Sequence, residues 1–258
     1  MKVSVCGSFD QVELAAQAGF DAFDPGIPKH FSARIPEEEF QAMLPKYLAS
    51  PLPFAGGAGL FPADMHLTGP EADMDAIKAF IDVTMRRAGQ AHLRCAVFGS
   101  GAARKVPEGF DWSVAAKQIV EVGKYLAEAA AKNNVIIVQE PLNHRETNTF
   151  NTVAGGAMLV HAVNHPNFRL LNDYYHFAEC DNDLTSLALS TPLIAHTHIA
   201  TAKNRLAPGQ EESDFSAWMH ALKANGYDGV IAIEGKVTWE LDALKLAVKT
   251  IREAWEQA

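Results

Sequence analysis

The sequence contains no apolar run long enough to cross a membrane and no recognisable signal peptide. A membrane helix needs about 20 consecutive apolar residues, and no stretch of the 258 residues approaches that. The N-terminus, MKVSVCGSFD, passes from Lys2 into a strand-like run without the apolar core or the small-residue cleavage site of a signal peptide. These absences predict a cytoplasmic protein with no membrane partner.

Basic residues and cysteines are also scarce, which argues against two further classes of protein. The 22 lysines and arginines are outnumbered by 31 aspartates and glutamates, and the basic residues form scattered pairs. A duplex-binding surface needs a basic stripe, so we expect no nucleic-acid partner. Cys6, Cys95 and Cys180 are widely spaced and contain no CxxC pair, which favours reduced thiols over a disulfide framework or a zinc knot.

No linker rich in Pro, Gly or Ser divides the chain, and residues 1–258 are therefore predicted to form a single domain. Short apolar runs alternate with helical patterns from end to end. These runs predict eight strands, the third of them weak, at residues 2–6, 20–24, 52–58, 93–98, 135–140, 168–173, 193–199 and 229–235.

The segments between these runs show helical periodicity. Between residues 112 and 126, apolar positions recur at spacings of 3, 4, 3 and 4, which predicts one buried face formed by Trp112, Ala115, Ile119, Val122 and Leu126. Eight strand–helix units in about 250 residues are typical of a (β/α)8 TIM barrel. A doubly wound sheet would normally show GxGxxG after an early strand, where this chain reads CGSFDQ. We therefore predict an α/β barrel.

Ionisable side chains close four consecutive predicted strands. Glu140 ends the fifth strand, Asp173 the sixth and Glu234 the eighth, while His196 and His198 lie at the end of the seventh. Barrel enzymes place their chemistry at the C-terminal ends of strands, so these side chains are expected to meet at one mouth. Any one of them could be a salt-bridged rim residue, but four in succession favour a shared site.

Crowded carboxylates repel one another, and a divalent cation relieves that repulsion. Three carboxylates and one imidazole form a mostly hard ligand set, which suits Mn²⁺ or Mg²⁺ and admits Zn²⁺ or Co²⁺. We expect Glu140, Asp173, His198 and Glu234 to bind one such ion, with Mn²⁺ favoured. His196, one layer deeper on the same strand face, is expected to pack behind the ligands.

Four motifs occur in order between residues 140 and 235: EPLNHRETN, NDYYH, HTHIA followed by NRLAPG, and IEG. They resemble the xylose isomerase-like barrel superfamily, and within it the single-metal ketose 3-epimerases and hydroxypyruvate isomerases. The resemblance implies the same four metal ligands, with Glu140 and Glu234 also moving protons on opposite faces of a small carbohydrate substrate. It further implies that His176 and Arg205 contact the substrate and that Glu146 contacts its terminal hydroxyl.

The ligand set also suits a definite chemistry. Removal of a proton beside a carbonyl leaves an enediolate, whose charge a divalent cation stabilises. Return of the proton to the opposite face gives an epimer, and return to the neighbouring carbon gives an isomer. We predict a divalent-metal-dependent isomerase or epimerase of a small keto-sugar or sugar acid. The alternative is a lyase or dehydratase that expels a β-substituent from a 3-keto-glycoside or an inosose.

Two departures from the family pattern lie in the loop expected to cover the substrate. Thr201 stands where the family often has Asp, and PGQEESD stands where it often has Pro-Gly-x-Gly-Glu, which leaves the substrate open. Two loop residues, His66 after the third strand and Arg104 after the fourth, are further candidates for substrate contact, although a surface position is also typical of such residues.

Two other functions are compatible with parts of the pattern. The superfamily includes three-zinc abasic-site endonucleases, which need an Asp-x-His pair after the seventh strand, and the chain has none there. A sugar sensor built on an inactive barrel would have lost a ligand or one of the two glutamates, and all are present. Many barrel enzymes of this kind pair through surface helices, so a homo-oligomer is left open.

Overall fold

A computed structural model describes residues 1–180 and 182–258, in which a ring of parallel strands is surrounded by helices. The strands follow the order β2-β1-β7-β6-β5-β4-β3, which is chain order read around a barrel. They are β1 (Lys2–Gly7), β2 (Asp24–Pro25), β3 (Cys95–Phe98), β4 (Ile136–Gln139), β5 (Phe168–Asp173), β6 (Ile194–Ile199) and β7 (Val230–Ile233).

The predicted third strand, residues 52–58, closes the ring without forming a regular strand. Phe54 makes a parallel bridge with Phe23 on one side, and its carbonyl accepts a hydrogen bond from the Arg94 amide at 3.1 Å on the other. A Cβ at Gly56 would lie 2.3 Å from a carboxylate of β2, so the backbone comes too close for a side chain. The predicted barrel is confirmed, with seven regular strands and one irregular join.

Helices cover the outside of this ring. In the described part of the chain they are α1 (Val12–Ala18), α2 (Ile27–His30), α3 (Glu37–Leu48), α4 (Met74–Gln90), α5 (Trp112–Lys132), α6 (Val153–Val163), α7 (Tyr174–Cys180), α8 (Leu184–Ser190), α9 (Ser216–Ala224) and α10 (Leu241–Gln257). The carboxylates of Asp73, Asp111 and Asp183 accept hydrogen bonds from the first amides of α4, α5 and α8, which fixes where these helices begin. Among these helices, none is long and apolar enough to cross a membrane.

The buried face of α5 is shorter than its periodicity predicts. Ala115, Ile119, Val122 and Leu126 are buried, but Trp112 is 56% exposed. Trp112 is the first residue of the helix, and helical side chains point back toward the N-terminus. Its indole therefore extends beyond the layer that packs on the sheet, and the prediction that Trp112 is buried was wrong.

Two adjacent arginines on α4 attach the start of α3 and differ mainly in burial. Arg87 is 2% exposed, and it donates both to Glu37 Oε2 at 2.8 Å and to the Ser32 carbonyl at 2.5 Å. Arg86 donates to the same Glu37 oxygen at 2.7 Å, but its side chain is 40% exposed.

We expect Arg87→Met to lower the free energy of unfolding by about 1–3 kcal/mol, because the buried Ser32 carbonyl loses its donor. Arg86→Met is the matched control and should cost much less, since an exposed ion pair contributes little. Chemical denaturation of both variants measures the difference. Equal losses would show that burial of Arg87 does not decide its contribution.

Candidate active site

The carboxyl ends of β4 to β7 bring four donor groups into one cluster. Glu140, Asp173, His198 and Glu234 offer ligand atoms that all lie within 4.8 Å of one another. Asp173 and His198 are partners in the register of β5 and β6. The amides of Glu140 and Glu234 still donate to carbonyls of the neighbouring strands, at 3.2 and 3.1 Å. The sheet hydrogen bonding therefore holds both glutamates one residue beyond their strands.

The alternation of side chains along a strand explains why these carboxylates enter the mouth. Val138 and Leu171 belong to a small apolar cluster separate from the one that joins the sheet to the helices. Glu140 and Asp173 lie two residues further on, and residues two apart share one face of a strand. A Cβ at Gly99 would lie 2.4 Å from Glu140 Oε2, so this glycine leaves room for the carboxylate.

The imidazole of His198 lies between the two glutamates. Its Nδ1 is 3.1 Å from Glu140 Oε1 and 3.6 Å from Glu234 Oε2. Glu140, Asp173 and His198 are buried, while the Glu234 side chain is 20% exposed. Solvent or a substrate can therefore approach the cluster from the side of Glu234.

Burial and mutual repulsion perturb every acid in the cluster. Burial raises the pKa of Asp173 to about 8, and the charges of Glu140 and Glu234 add to the rise. Burial, with the charge of Glu234, also raises the pKa of Glu140. Burial acts the same way on Glu234, but His198 and Arg205 outweigh it and hold the pKa of Glu234 well below its usual range. The protein itself thus supplies too little positive charge to ionise all three acids.

A divalent cation would fit this arrangement. Asp173 Oδ2 is buried and accepts no hydrogen bond from the described residues, and such an oxygen is costly to leave without a partner. Cys6 has its sulfur within 4.8 Å of donor atoms of His198 and Glu234. Burial raises the pKa of Cys6 to about 12 in the metal-free protein, so the thiol is neutral there. The four clustered donors are three carboxylates and one imidazole.

His176, on α7 directly after β5, presents a hydrogen-bond donor to the cluster. Its Nδ1 lies 3.1 Å from the Asn143 amide nitrogen. A backbone amide can only donate, so the neutral ring carries its proton on Nε2. Burial, with the charge of Arg205, lowers the pKa of His176 to about 3, which keeps the ring neutral. Nε2 lies 3.7 Å from Asp173 Oδ2 and is available to donate.

Arg205 connects two of the acids across the mouth. Its Nη2 lies 2.6 Å from Glu234 Oε2, and its Nη1 lies 3.3 Å from Glu146 Oε1. The guanidinium also stacks over the Tyr175 ring, 4.6 Å from its centroid. Burial acts against the positive charge, but the surrounding carboxylates outweigh it and raise the pKa of Arg205. The side chain is therefore a fixed cation at the entrance.

A cavity of roughly 190 Å³ opens above the cluster. Its lining combines charged and polar side chains with small residues. The lining residues are Ala58, Gly59, Gly99, Ser100, Gly101, Glu140, Leu142, Glu146, His176, Arg205 and Glu234. Several charged and polar groups in one small cavity suit a small, hydroxyl-rich ligand.

The model of the xylose isomerase-like TIM barrel family matches residues 12–254. The chain belongs to this family.

Curated relatives of the chain are sugar epimerases and hydroxypyruvate isomerases. The chain is 29% identical over 125 residues to 3-dehydro-D-guloside 4-epimerase of Escherichia coli, an alignment covering 48% of this chain and 47% of that protein. It is 34% identical over 115 residues to a probable ketose 3-epimerase of Synechocystis, covering 44% and 40%. These alignments thus span about half or less of each relative's own length.

Several solved structures share the complete fold. A D-psicose 3-epimerase from Clostridium cellulolyticum, solved with D-tagatose, superposes with a TM-score of 0.83 at 19% identity, covering 99% of both chains. A protein called IOLI, solved with a bound zinc atom, superposes with a TM-score of 0.79 at 18% identity, covering 100% of this chain and 99% of that one. At these identities the likeness concerns the fold.

Within this family barrel, two residues predicted to contact substrate lie apart from the cavity. His66 has a half-exposed side chain that pairs with Glu71 at 3.4 Å, and it does not line the cavity. Arg104 is completely buried, and its Nη2 donates to the Glu140 carbonyl at 2.9 Å. Burial lowers the pKa of Arg104 to about 10. Arg104 therefore supports the backbone of Glu140 from below instead of facing a substrate.

A buried pair that no sequence pattern indicated lies behind the four clustered side chains. Asp24 Oδ2 lies 2.8 Å from His196 Nε2, and Asp24 Oδ1 accepts the hydroxyl of Ser4. The His196 ring packs edge-on against the His198 ring, with centroids 5.3 Å apart. His196 thus packs behind the ligands, and Asp24, 172 residues away in the chain, fixes its orientation.

Proposed function

We propose that this protein, as a single domain of residues 1–258, is a divalent-metal-dependent isomerase or epimerase of a small keto-sugar or sugar acid. The observation that supports this most is the cluster of four donors at four successive strand ends, beside a cavity lined by charged and polar side chains. The epimerase activities of the curated relatives point the same way.

Glu140, Asp173, His198 and Glu234 would hold the ion, and their hard donor set favours Mn²⁺. When bound, the ion would supply the positive charge that stabilises an enediolate and keeps the surrounding carboxylates ionised. This accords with the buried Asp173 oxygen that accepts no hydrogen bond from the described residues, and with the raised pKa values of Asp173 and Glu140.

Glu140 and Glu234 would move the proton. Their strands are separated by β5 and β6, so the two carboxylates approach the mouth from different sides. One would take the proton from the carbon beside the carbonyl, and the other would return a proton from the opposite face. In this scheme His176 donates from Nε2 to a substrate oxygen and Arg205 binds a second oxygen. Glu146 accepts a hydrogen bond from the terminal hydroxyl.

Incubation of the Mn²⁺-loaded protein with ketoses in D₂O tests the proposal. The panel contains D-tagatose, D-allulose, D-fructose, hydroxypyruvate and a 3-keto-glycoside, with chelator-treated protein as the control. We expect deuterium on the carbon beside the carbonyl, together with an epimer or isomer, for at least one substrate. A product that has lost a β-substituent would favour the lyase instead. Absence of both exchange and product across the panel would contradict the proposal.

A further inference from the structure

The two departures from the family pattern in the loop after β6 contact each other. The Thr201 hydroxyl donates to Glu211 Oε1. The same oxygen accepts a hydrogen bond from the Asn204 amide at 3.2 Å, and Glu211 Oε2 accepts one from Asn204 Nδ2 at 2.7 Å. One carboxylate thus bonds to residues at both ends of the segment that leads into Arg205.

The backbone at Arg205 is in a conformation that needs such support. Arg205 has a φ of 55°, in the left-handed region that residues other than glycine seldom adopt. Its amide donates to the Thr201 carbonyl at 3.0 Å, and Thr201 Oγ1 accepts from the Leu206 amide at 2.9 Å. A hydroxyl has one proton and two lone pairs, so Thr201 can bond to Leu206 and Glu211 at the same time.

The opposite side of Arg205 is held by the start of the next loop. Its carbonyl accepts a hydrogen bond from the Lys236 amide at 2.7 Å, and a Cβ at Gly235 would lie 2.4 Å from that carbonyl oxygen. With both sides fixed, the Arg205 side chain extends over the cavity to Glu234 and Glu146. A shift of this backbone would move the guanidinium away from both acids.

We propose that Glu211 is a positioning residue that, through Thr201 and Asn204, fixes Arg205 over the active site. The carboxylate lies at position 211, where the family pattern has Gly, and Thr201 stands where that pattern often has Asp. Glu211 therefore supplies a carboxylate where Thr201 stands in place of one, so the two departures compensate for each other. The role in turnover rests on the proposed function, because it requires Arg205 to contact the substrate.

Limited proteolysis tests whether Glu211 holds this loop, and it does not depend on activity. Trypsin cleaves after Lys203 and Arg205, which both lie in the loop. We expect Glu211→Ala to be cut within this loop about tenfold faster than the wild type, since cleavage follows the population of the locally opened state. Glu212→Ala, at the exposed neighbouring position, is the matched control and should be cut at the wild-type rate. Equal rates for the two variants would overturn the proposal.

Kinetics on a substrate identified in the D₂O panel test the positioning role. We expect kcat/KM of Glu211→Ala to fall by about 10- to 100-fold, because misplacing a positioning group by an ångström costs that much. Bound metal should be unchanged, since the four ligands are untouched. Thr201→Ala should give a similar loss, and the double variant little more than either alone. The variant Thr201→Asp with Glu211→Gly should recover part of the activity.

The outcomes separate the two proposals. Faster cleavage with unchanged kcat/KM would overturn the positioning role, and so would additive losses in the double variant. If no substrate in the panel reacts, the proposed function fails, while the cleavage rates still decide whether Glu211 holds the loop.

Discussion

Glu234→Gln is expected to lower turnover of a ketose by about 10²–10⁴-fold, the usual contribution of a positioned acid or base. Glutamine keeps the shape of the side chain and one side-chain oxygen. That oxygen can accept a hydrogen bond from Arg205, whose Nη2 lies 2.6 Å from Glu234 Oε2 in the wild type. It cannot accept a proton from carbon. The fold and the binding of sugar should therefore be largely retained.

The measurement combines steady-state kinetics with deuterium exchange from each epimer separately. Because Glu140 remains, one epimer should still exchange its proton with solvent although no conversion follows, and this identifies the face that Glu234 serves. Glu253→Gln, half-exposed on α10, is the control for loss of a carboxylate. Metal content must be measured alongside, since Glu234 is also a proposed ligand. Full activity in Glu234→Gln would contradict the two-carboxylate mechanism.

Asp173→Ala is expected to reduce bound metal from about one ion per chain toward none, because a four-ligand site loses one of its ligands. Plasma mass spectrometry of wild type and variant after incubation with Mn²⁺ measures this. Asp82→Ala, at an exposed position on α4, is the control. Three zinc ions per wild-type chain would point to the nuclease class, and no ion with Mn²⁺ or Co²⁺ would contradict the metal site.

We expect the Asp173→Ala variant to stay folded, so its loss of metal should not result from unfolding. In the metal-free protein the pKa of Asp173 is raised to about 8, so the native state binds this proton more tightly than the unfolded chain. The associated stability is full below the unfolded pKa of 3.8 and is lost progressively as the pH rises from there to about 8. Asp173→Ala removes this dependence. Chelator-treated wild type should therefore lose thermal stability between about pH 4 and pH 8 more steeply than the variant.

Much of the fold could be predicted because the strands that carry the cluster are buried on both faces. Such strands are continuous apolar runs, so the residues that end them, Glu140, Asp173, His198 and Glu234, stand out in the sequence. The strand signal at residues 52–58 is weaker, because the close backbone approach that Gly56 permits interrupts the apolar run.

The surroundings of the cluster were harder to predict because they depend on contacts distant in the chain. An arginine in a loop is typical of the surface, yet Arg104 is buried and donates a hydrogen bond to the Glu140 carbonyl. Asp24 is the first residue of the two-residue strand β2, and only the closed ring brings it to His196. Glu211 contacts Thr201 because the loop turns back on itself, and no periodic pattern encodes such a turn.

The irregular join at residues 52–58 also determines how the ring is held between β2 and β3. Between β2 and β3 the ring is held by isolated backbone hydrogen bonds instead of a continuous ladder, so this is where it opens with the least loss. β6, which carries His198, lies on the opposite side of the ring. A local opening at the join would leave the register of β4 to β7 unchanged, but it would move Ala58, which lines the cavity. The buried contact of Asp24 with His196 crosses the interior and limits how far the two sides move apart.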